Sequence, residues 1–400
     1  MTNASLPKFA LLTDAPPFKE GGHGCHLLSW NWLHAVGHDV RIVVTRRLNG
    51  ALSVERITAA LPKPVVFYPD LSRLRWPGCL TALKSLAELF LFLLWSPKIA
   101  QAIRASGAER IFAFFGGNTW FLFVARCVEA MTGLPLDVYL VEDLEASTRI
   151  NGHPGIARIA RWFEPRLLRR ASRIFAISPG FAEHLAAKYA VRTSWLPIAV
   201  ASEPIQYRQF VPAQPDVRCI TFIGGINPVN EDVLRDVLHA VEDWNASARP
   251  FQLRLLLMIY TDPAYLDGVL PKTRHIEVLC RPPRQQLEQR LRESWVLLIP
   301  YSFSADMRTM VSTAFPTKLA DTLPTGRPVL VYGPPYASVP RYFLENRLPL
   351  CVTSPLQLRA ALAEVERQDT VMLTKQYEAV LQRFHSPQNI RKILEVRNKA

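Results

Sequence analysis

Glycines follow two apolar runs of the sequence and could bring a phosphate close to the backbone. Gly21 and Gly22 lie in the first loop, and Gly224 and Gly225 lie in the second. A glycine loop between a strand and a helix exposes main-chain N–H groups at the positive end of the helix dipole. Two such loops favour a diphosphate ligand, although glycines after a strand also serve simply to make tight turns.

A dinucleotide-binding oxidoreductase is the alternative enzyme that such glycines suggest. The stretch 22–27 begins like the G-x-G-x-x-G fingerprint, but Leu27 stands where the third glycine belongs. Arg46 and Arg47, rather than an acid, follow the second apolar run, and they would suit the 2'-phosphate of NADP. An NADP-dependent Rossmann oxidoreductase is therefore kept as an alternative.

The elements that position these loops alternate between strand-like and helix-like patterns along the whole chain. Short apolar, β-branched runs are separated by stretches with helical spacing, which predicts parallel sheets covered on both faces. We predict strands at 8–13, 40–44, 64–68, 110–115, 136–141, 173–177, 219–223, 253–259, 275–279, 295–300, 328–332 and 348–352.

Length and prolines divide the chain into two α/β domains. Four hundred residues exceed what one core serves, and the segment 199–216 contains three prolines between two complete strand-and-helix series. We predict an N-terminal Rossmann-like acceptor domain over 1–198 and a C-terminal Rossmann-like donor domain over 199–386. The tail 387–400 is expected to form a helix, with a return to the N-terminal domain as one option.

Charge and composition limit the class of partner. The chain is 49% hydrophobic with net charge +13, of which residues 1–200 contribute +9 from 23 Lys and Arg against 14 Asp and Glu. A basic excess suits an anionic surface, whether phospholipid, lipid diphosphate or nucleic acid. A non-enzymatic nucleic-acid-binding protein is thus a further alternative, but no helix-turn-helix, zinc-finger or RNP pattern is present, and we expect no nucleic-acid partner.

The cysteines and the N-terminal residues indicate the cytosol. Six dispersed cysteines show neither metal-ligand nor disulfide-framework spacing, and His23, Cys25 and His26 have the spacing of no common zinc site. We therefore expect no metal. The first residues lack a cationic leader, and the longest apolar stretch, 86–95, is half the length of a spanning helix.

Two basic and aromatic stretches suit the surface of an anionic bilayer. Residues 155–173 contain six arginines among apolar side chains, and residues 76–95 combine leucines and aromatics with basic flanks. Such patterns are typical of helices that lie in the membrane interface. They are also typical of amphipathic helices that pack on a sheet, so peripheral attachment to the inner face of the plasma membrane is one of two interpretations.

Four segments together resemble the GT-B glycosyltransferases close to family 4. They are the opening 11–17 with its glycines, the element 33–40, the step 173–178 before the linker, and the stretch 315–331. The resemblance spans nearly the entire chain. It implies two Rossmann-like domains facing a cleft and a sugar bound to a nucleoside diphosphate as substrate, with no cofactor.

The stretch 315–331 resembles the donor-site signature of that family. The resemblance assigns the ribose contact to Asp321, because a carboxylate can accept from two adjacent hydroxyls. It assigns the charge that neutralises the diphosphate to Lys318, with Thr317 beside it. Thr313 stands where the family carries an acid for the sugar, and Arg281, after the strand 275–279, is a candidate contact to base or phosphate. A surface ion pair between Lys318 and Asp321 is the simpler interpretation.

For the transfer step, the resemblance points to Glu142 and Asp143 at the end of the strand 136–141. Asp143 is the leading candidate, either as a general base on the acceptor or as an orienting group, and a helix N-cap is its structural alternative. His23, in the first glycine loop, is a candidate contact to the acceptor or to a phosphate. The implied enzyme is a metal-independent hexosyltransferase, with retention as the expected outcome, acting on a glycan or lipid-linked acceptor in bacterial surface polysaccharide biosynthesis.

Overall fold

The computed structural model describes residues 6–19, 24–46, 53–69, 81–118, 120–150, 154–200, 205, 214 and 216–395. The predictions for Gly21, Gly22, His23, residues 76–80 and most of the linker lie outside these residues. The chain divides into two compact units. The first comprises Met1–Ala201 and Phe384–Ala400, and the second comprises Ser202–Arg383.

In the described part of the first unit, seven strands form one parallel sheet in the order β3-β2-β1-β4-β5-β6-β7. Its inner strands are mostly apolar and buried on both faces, as expected for a parallel sheet covered by helices. The strands are β1 (Phe9–Thr13), β2 (Val40–Arg46), β3 (Val65–Tyr68), β4 (Arg110–Phe115), β5 (Leu136–Leu140), β6 (Arg173–Ala176) and β7 (Ser194–Trp195).

Helices connect these strands, so that each strand starts at the same end of the sheet as the one before it. They are α1 (Cys25–Val36), α2 (Val54–Ala60), α3 (Thr81–Ala105), α4 (Phe121–Thr132), α5 (Leu144–Ile150), α6 (Pro154–Leu168) and α7 (Pro179–Tyr189). Capping residues set the ends of these helices. The Ser178 hydroxyl caps the N-terminus of α7, and Gly133 ends α4 at φ 72°. No helix in the described residues combines the length and the apolarity needed to cross a bilayer.

The second unit contains a six-stranded parallel sheet, within the described residues, in the order β10-β9-β8-β11-β12-β13. Its strands are β8 (Val217–Gly224), β9 (Gln252–Ile259), β10 (Ile276–Cys280), β11 (Val296–Pro300), β12 (Val329–Tyr332) and β13 (Cys351–Val352). Its helices are α8 (Glu231–Ala246), α9 (Pro263–Leu266), α10 (Arg284–Arg292), α11 (Arg308–Thr313), α12 (Leu319–Thr322), α13 (Ser338–Glu345), α14 (Leu358–Val365) and α15 (Thr370–Val380).

The last helix, α16 (Pro387–Glu395), packs on the first unit. Arg391 pairs with Asp39 at 2.7 Å, and the Arg173 guanidinium donates to the carbonyl of Leu394 at 2.6 Å. The expected α/β class with two Rossmann-like domains, and the return of the C-terminal helix to the first of them, are confirmed.

Two strands differ from the predicted pattern. β13 contains only two residues of the predicted run 348–352, because Leu350 adopts a positive φ of 58° that extended strands do not permit. β7 is a two-residue edge strand whose residues, Ser194 and Trp195, do not form an apolar run. Strand order reverses between β1 and β4 and again between β8 and β11, which are the positions where open α/β sheets bind ligands.

Candidate functional site

Lys318 and the glycine loop meet at the reversal point of the second sheet. The Lys318 ammonium lies 4.2 Å from the ring centroid of Phe222 in β8, within cation–π distance. A Cβ built on Gly224 would lie 3.5 Å from Lys318 Nζ, and Gly224 has φ 136°, a conformation that favours glycine. The lysine therefore stands directly beside the end of β8.

The surroundings of this amine are poor in compensating charge. Burial lowers the pKa of Lys318 from its usual range to about 7, although the residue as a whole is only partly buried. Among the described residues, no carboxylate forms an ion pair with it, so the predicted alternative of a Lys318–Asp321 pair is not what the structure shows. A desolvated ammonium without a carboxylate is suited to an anionic ligand.

The helix after the second glycine loop does not supply that positive charge. The first turn of α8 carries Glu231 and Asp232, and its N-cap Asn230 donates a side-chain hydrogen bond to the carbonyl of Gly225. Two carboxylates at a helix N-terminus interact with the dipole themselves and would repel a phosphate. Near the exposed Gly225, the lysine rather than this helix is the group that attracts an anion.

Asp321 has an arginine partner that the sequence motif did not indicate. Arg284, the first residue of α10, donates to Asp321 Oδ1 at 2.8 Å and to Glu288 at 2.7 Å. Tyr260, just after β9, lies close enough for the charges of Asp321 and Arg284 to act on its hydroxyl, and burial is the largest cause of its raised pKa. Hydroxyl, guanidinium and carboxylate thus gather at the carboxyl ends of β9 and β10.

The remaining predicted donor residues differ in what they offer a ligand. Arg281 is exposed, with φ 48°, and its N–H donates to the carbonyl of Ile259. Thr317 is half-buried next to Lys318. Thr313 is buried, and its hydroxyl donates to the carbonyl of Thr309 within its own helix at 2.9 Å.

In the first unit, the reversal point is occupied by a buried carboxyl group that the motif analysis did not select. Asp14, immediately after β1, is 1% exposed and accepts hydrogen bonds from the N–H groups of Gly116 and Asn118 at 2.5 and 2.7 Å. Burial raises the pKa of Asp14, and the charge of Arg46 together with these N–H donors opposes the rise. The signal in the sequence was an acid directly after the first apolar run.

Glu142 lies in the same place, at the end of β5. Its Oε2 accepts from the Ser147 hydroxyl at 3.1 Å, and its Oε1 would lie 2.9 Å from a Cβ built on Gly117. Burial raises the pKa of Glu142, opposed by the Ser147 hydrogen bond and reinforced by the charges of Asp14 and Asp143. A carboxyl group whose ionisation is disfavoured by burial and by the neighbouring charge of Asp14 is suited to holding a proton.

Asp143 is occupied by structural contacts. Its carboxylate accepts from His184 Nε2 at 2.6 Å and from Lys188 Nζ at 2.8 Å, and it caps α5 through the N–H of Ala146 at 2.9 Å. These partners outweigh burial and hold the pKa of Asp143 well below its usual range. The geometry therefore matches the N-cap alternative and makes Glu142 the stronger candidate for a contact to the acceptor.

Comparison of the sequence with known families gives one match. Residues 27–200 match the family described as glycosyl transferase 4-like domain. Among curated proteins, none matches the sequence significantly.

Solved structures resemble the whole chain. HepE of Anabaena, in complex with UDP-glucose, is 13% identical with a TM-score of 0.62, covering 96% of this chain and 98% of its own. The lipopolysaccharide outer core galactosyltransferase WaaB is 11% identical with a TM-score of 0.55, covering 96% and 98%. The E. coli trehalose-6-phosphate protein bound with UDP-2-fluoro glucose is 10% identical with a TM-score of 0.59, covering 97% and 99%.

At these identities the structural likeness shows the fold, while the sequence match covers residues 27–200, which are less than half of the chain. Residues 27–200 match the glycosyl transferase 4-like domain, and the chain has the two-domain GT-B fold of glycosyltransferases.

Proposed function

We propose that this protein transfers a sugar from a nucleoside-diphosphate donor to a glycan or lipid-linked acceptor, at the cytoplasmic side of a bacterial membrane, during surface polysaccharide biosynthesis. The single observation that carries the proposal is the desolvated Lys318 ammonium beside Gly224. Its surroundings cost free energy in the unliganded protein, and an anionic diphosphate would relieve that cost.

The donor would lie along the carboxyl edge of the second sheet. Lys318 would neutralise the diphosphate, with Gly224 and Gly225 allowing a close approach of the backbone. Asp321, oriented by Arg284, would accept from the ribose hydroxyls, and Tyr260 lies close enough to both to contact the nucleoside. Arg281 and Thr317 are further contacts in this proposal, whereas the Thr313 hydroxyl is already engaged within α11.

We propose a metal-independent reaction that retains the anomeric configuration. The Lys318 ammonium would stabilise the negative charge of the leaving diphosphate, and a donor phosphate oxygen would accept the proton of the acceptor hydroxyl. The occupied carboxylate of Asp143 supports this assignment, because a group bound by His184 and Lys188 is a poor general base. Glu142 would orient the acceptor through a hydrogen bond.

The structural relatives support the donor and acceptor classes. HepE was solved with UDP-glucose and the E. coli relative with UDP-2-fluoro glucose, which favours a nucleotide sugar here. WaaB is a lipopolysaccharide outer core galactosyltransferase, which favours a surface glycan as the acceptor.

Thermal-shift screening with UDP-, GDP- and ADP-linked sugars tests the proposal. We expect one nucleotide to raise the melting temperature of the wild type, and to raise that of Lys318→Ala much less. Lys272→Ala is the matched control, since Lys272 is an 82% exposed lysine in the same unit. The absence of any shift with all three donors would remove the basis of the proposal.

A further inference from the structure

Exposed apolar side chains of the first unit are confined to one layer of helices. Among the described residues, its large hydrophobic side chains with more than a third of their surface exposed belong to α3, α4 and α6. They are Phe90, Leu94, Met131, Ile159 and Trp162. Scattered apolar residues are normal on a protein surface, but their confinement to one layer indicates an interaction surface.

The three helices adjoin one another. Contacts connect α3 with α4 and α4 with α6, and the three helices lie in the connections β3 to β4, β4 to β5 and β5 to β6, which all run in one direction across the sheet. Because crossovers between parallel strands are right-handed, connections that run in one direction across a sheet place their helices on the same face. The exposed apolar residues therefore point outward from one side of the unit.

The outer face of α6 combines this apolar surface with positive charge. We call Arg158, Ile159, Trp162 and Arg166 the α6 outer face; all four are exposed, and Trp162 is 65% exposed. Arg166 lies over the Trp162 ring at 4.3 Å. The acid of this helix, Glu164, faces the interior, where Tyr189 donates to it at 2.5 Å. No carboxylate of α6 thus offsets the arginines on the outer side.

An open cavity of about 430 Å³ lies beside this face, between α5, α6 and α7. Arg149, Arg161, Arg169 and Lys188 line it, together with Glu145, Pro165 and Tyr189. Glu145 pairs with Arg149 at 2.6 Å and with Lys188 at 3.0 Å, so four cations surround one lining carboxylate. Arg161 directly precedes Trp162, about 100° around the helix, which places the cavity next to the α6 outer face.

We propose that the α6 outer face docks on an anionic phospholipid bilayer and that the cavity accepts a lipid phosphate headgroup. Trp162 and Ile159 would enter the interface between headgroups and acyl chains, as Trp commonly does, while the flanking arginines contact phosphates. Phe90 and Leu94 of α3 extend the apolar contact. The positive charge favours an anionic bilayer over an apolar protein partner, because such a partner would not require Arg158 and Arg166 one turn before and after Trp162.

Vesicle flotation of the full-length protein tests this surface. We expect binding to vesicles of phosphatidylcholine with a quarter phosphatidylglycerol and at least tenfold weaker binding to pure phosphatidylcholine. The double variant Ile159→Ser, Trp162→Ser and the double variant Arg161→Glu, Arg169→Glu should each weaken binding to the anionic vesicles at least tenfold. Leu356→Ser and Lys272→Glu, at highly exposed positions of the second unit, are the matched controls.

Unchanged melting temperatures would verify that the variants fold. Equal binding of wild type and variants, or equal binding to both kinds of vesicle, would overturn the proposal. Binding of inorganic phosphate or RNA without binding to vesicles would overturn it as well and would assign the cavity to a soluble anion. The assay contains no nucleotide sugar, so its failure would leave the proposed glycosyl transfer intact.

Discussion

Lys318 Nζ lies 4.2 Å from the ring centroid of Phe222, although the two residues are 96 positions apart in the sequence. The aromatic ring is a weak substitute for a carboxylate, and burial lowers the pKa of Lys318 to about 7. A desolvated amine of this kind lowers the free energy of unfolding of the unliganded protein, and it contributes favourably only when an anion binds beside it. Removing the charge of Lys318 should therefore raise the free energy of unfolding and weaken donor binding.

Lys318→Met should stabilise the unliganded protein and abolish donor binding. Methionine fills a similar volume without an ammonium, so the free energy of unfolding at pH 7 should rise by about 1 to 3 kcal/mol. Because the pKa is lowered in the folded state, the gain should be greatest below pH 7 and vanish near pH 10.5, where the unfolded lysine also loses its proton. Urea denaturation at several pH values measures it. A destabilised variant would contradict the desolvation argument.

Donor binding should take up a proton at Lys318. A bound diphosphate restores the usual pKa of the lysine, so affinity should fall by up to about tenfold per pH unit as the pH rises above 7. Calorimetry at pH 8 in buffers of different ionisation enthalpy reports this uptake directly. Lys318→Arg remains charged throughout and should bind the donor without proton uptake. A wild type with the same enthalpy in every buffer would rule out the linkage.

The positions of Lys318 and Asp321 were predictable, but their partners were not. Apolar runs specify where β8 to β12 lie, and the stretch 315–331 places both residues near the sheet edge. Arg284 contacts Asp321 only because the fold brings together the start of α10 and the end of α12, and no local pattern encodes this contact between residues 37 positions apart. The sequence pattern favours Arg281 as the arginine near the donor, whereas Arg284, three positions later, is the arginine that pairs with Asp321.

In the first unit, too, contacts between residues far apart in the sequence could not be predicted. An acid at the end of β5 was predictable from the run 136–141, but the choice between Glu142 and Asp143 was not. His184 and Lys188 reach Asp143 from α7, 41 and 45 residues later, and only the fold of β5, β6 and α7 brings them together. Asp14 likewise lies close enough for its charge to act on Glu142 because β1 and β5 flank β4.

Asp321→Asn should separate the contact to ribose from the contact to phosphate. Losing a charged acceptor for the ribose hydroxyls should weaken UDP binding about tenfold to a hundredfold. Binding of free pyrophosphate should change by less than about twofold, since its contact is Lys318. Isothermal titration with both ligands makes the comparison, and Asp267→Asn, at an exposed ion pair of the same unit, is the control. Equal losses for the two ligands would place Asp321 at the phosphate instead.

Asp143→Asn should cost stability rather than catalysis. Removing the charge leaves Lys188 partly buried without its main partner, which should lower the free energy of unfolding by about 3 kcal/mol at pH 7. Because the pKa of Asp143 is lowered in the folded state, its contribution is present above pH 4 and is lost as the pH falls further. The difference between variant and wild type should therefore narrow below pH 4 in denaturation curves. Transfer activity per folded molecule should stay within about threefold.

Glu142 should behave as an orienting group and not as an obligatory base. Glutamine keeps a hydrogen-bonding side chain in place, so Glu142→Gln should lower kcat about tenfold, whereas Glu142→Ala should lower it a hundredfold or more. Neither variant should destabilise the protein strongly, because burial already raises the pKa of Glu142 and disfavours its charge. Steady-state kinetics gives the two losses, and NMR of the product gives the anomeric configuration. Equal losses of a thousandfold with an inverted product would identify Glu142 as the general base and replace the retaining mechanism.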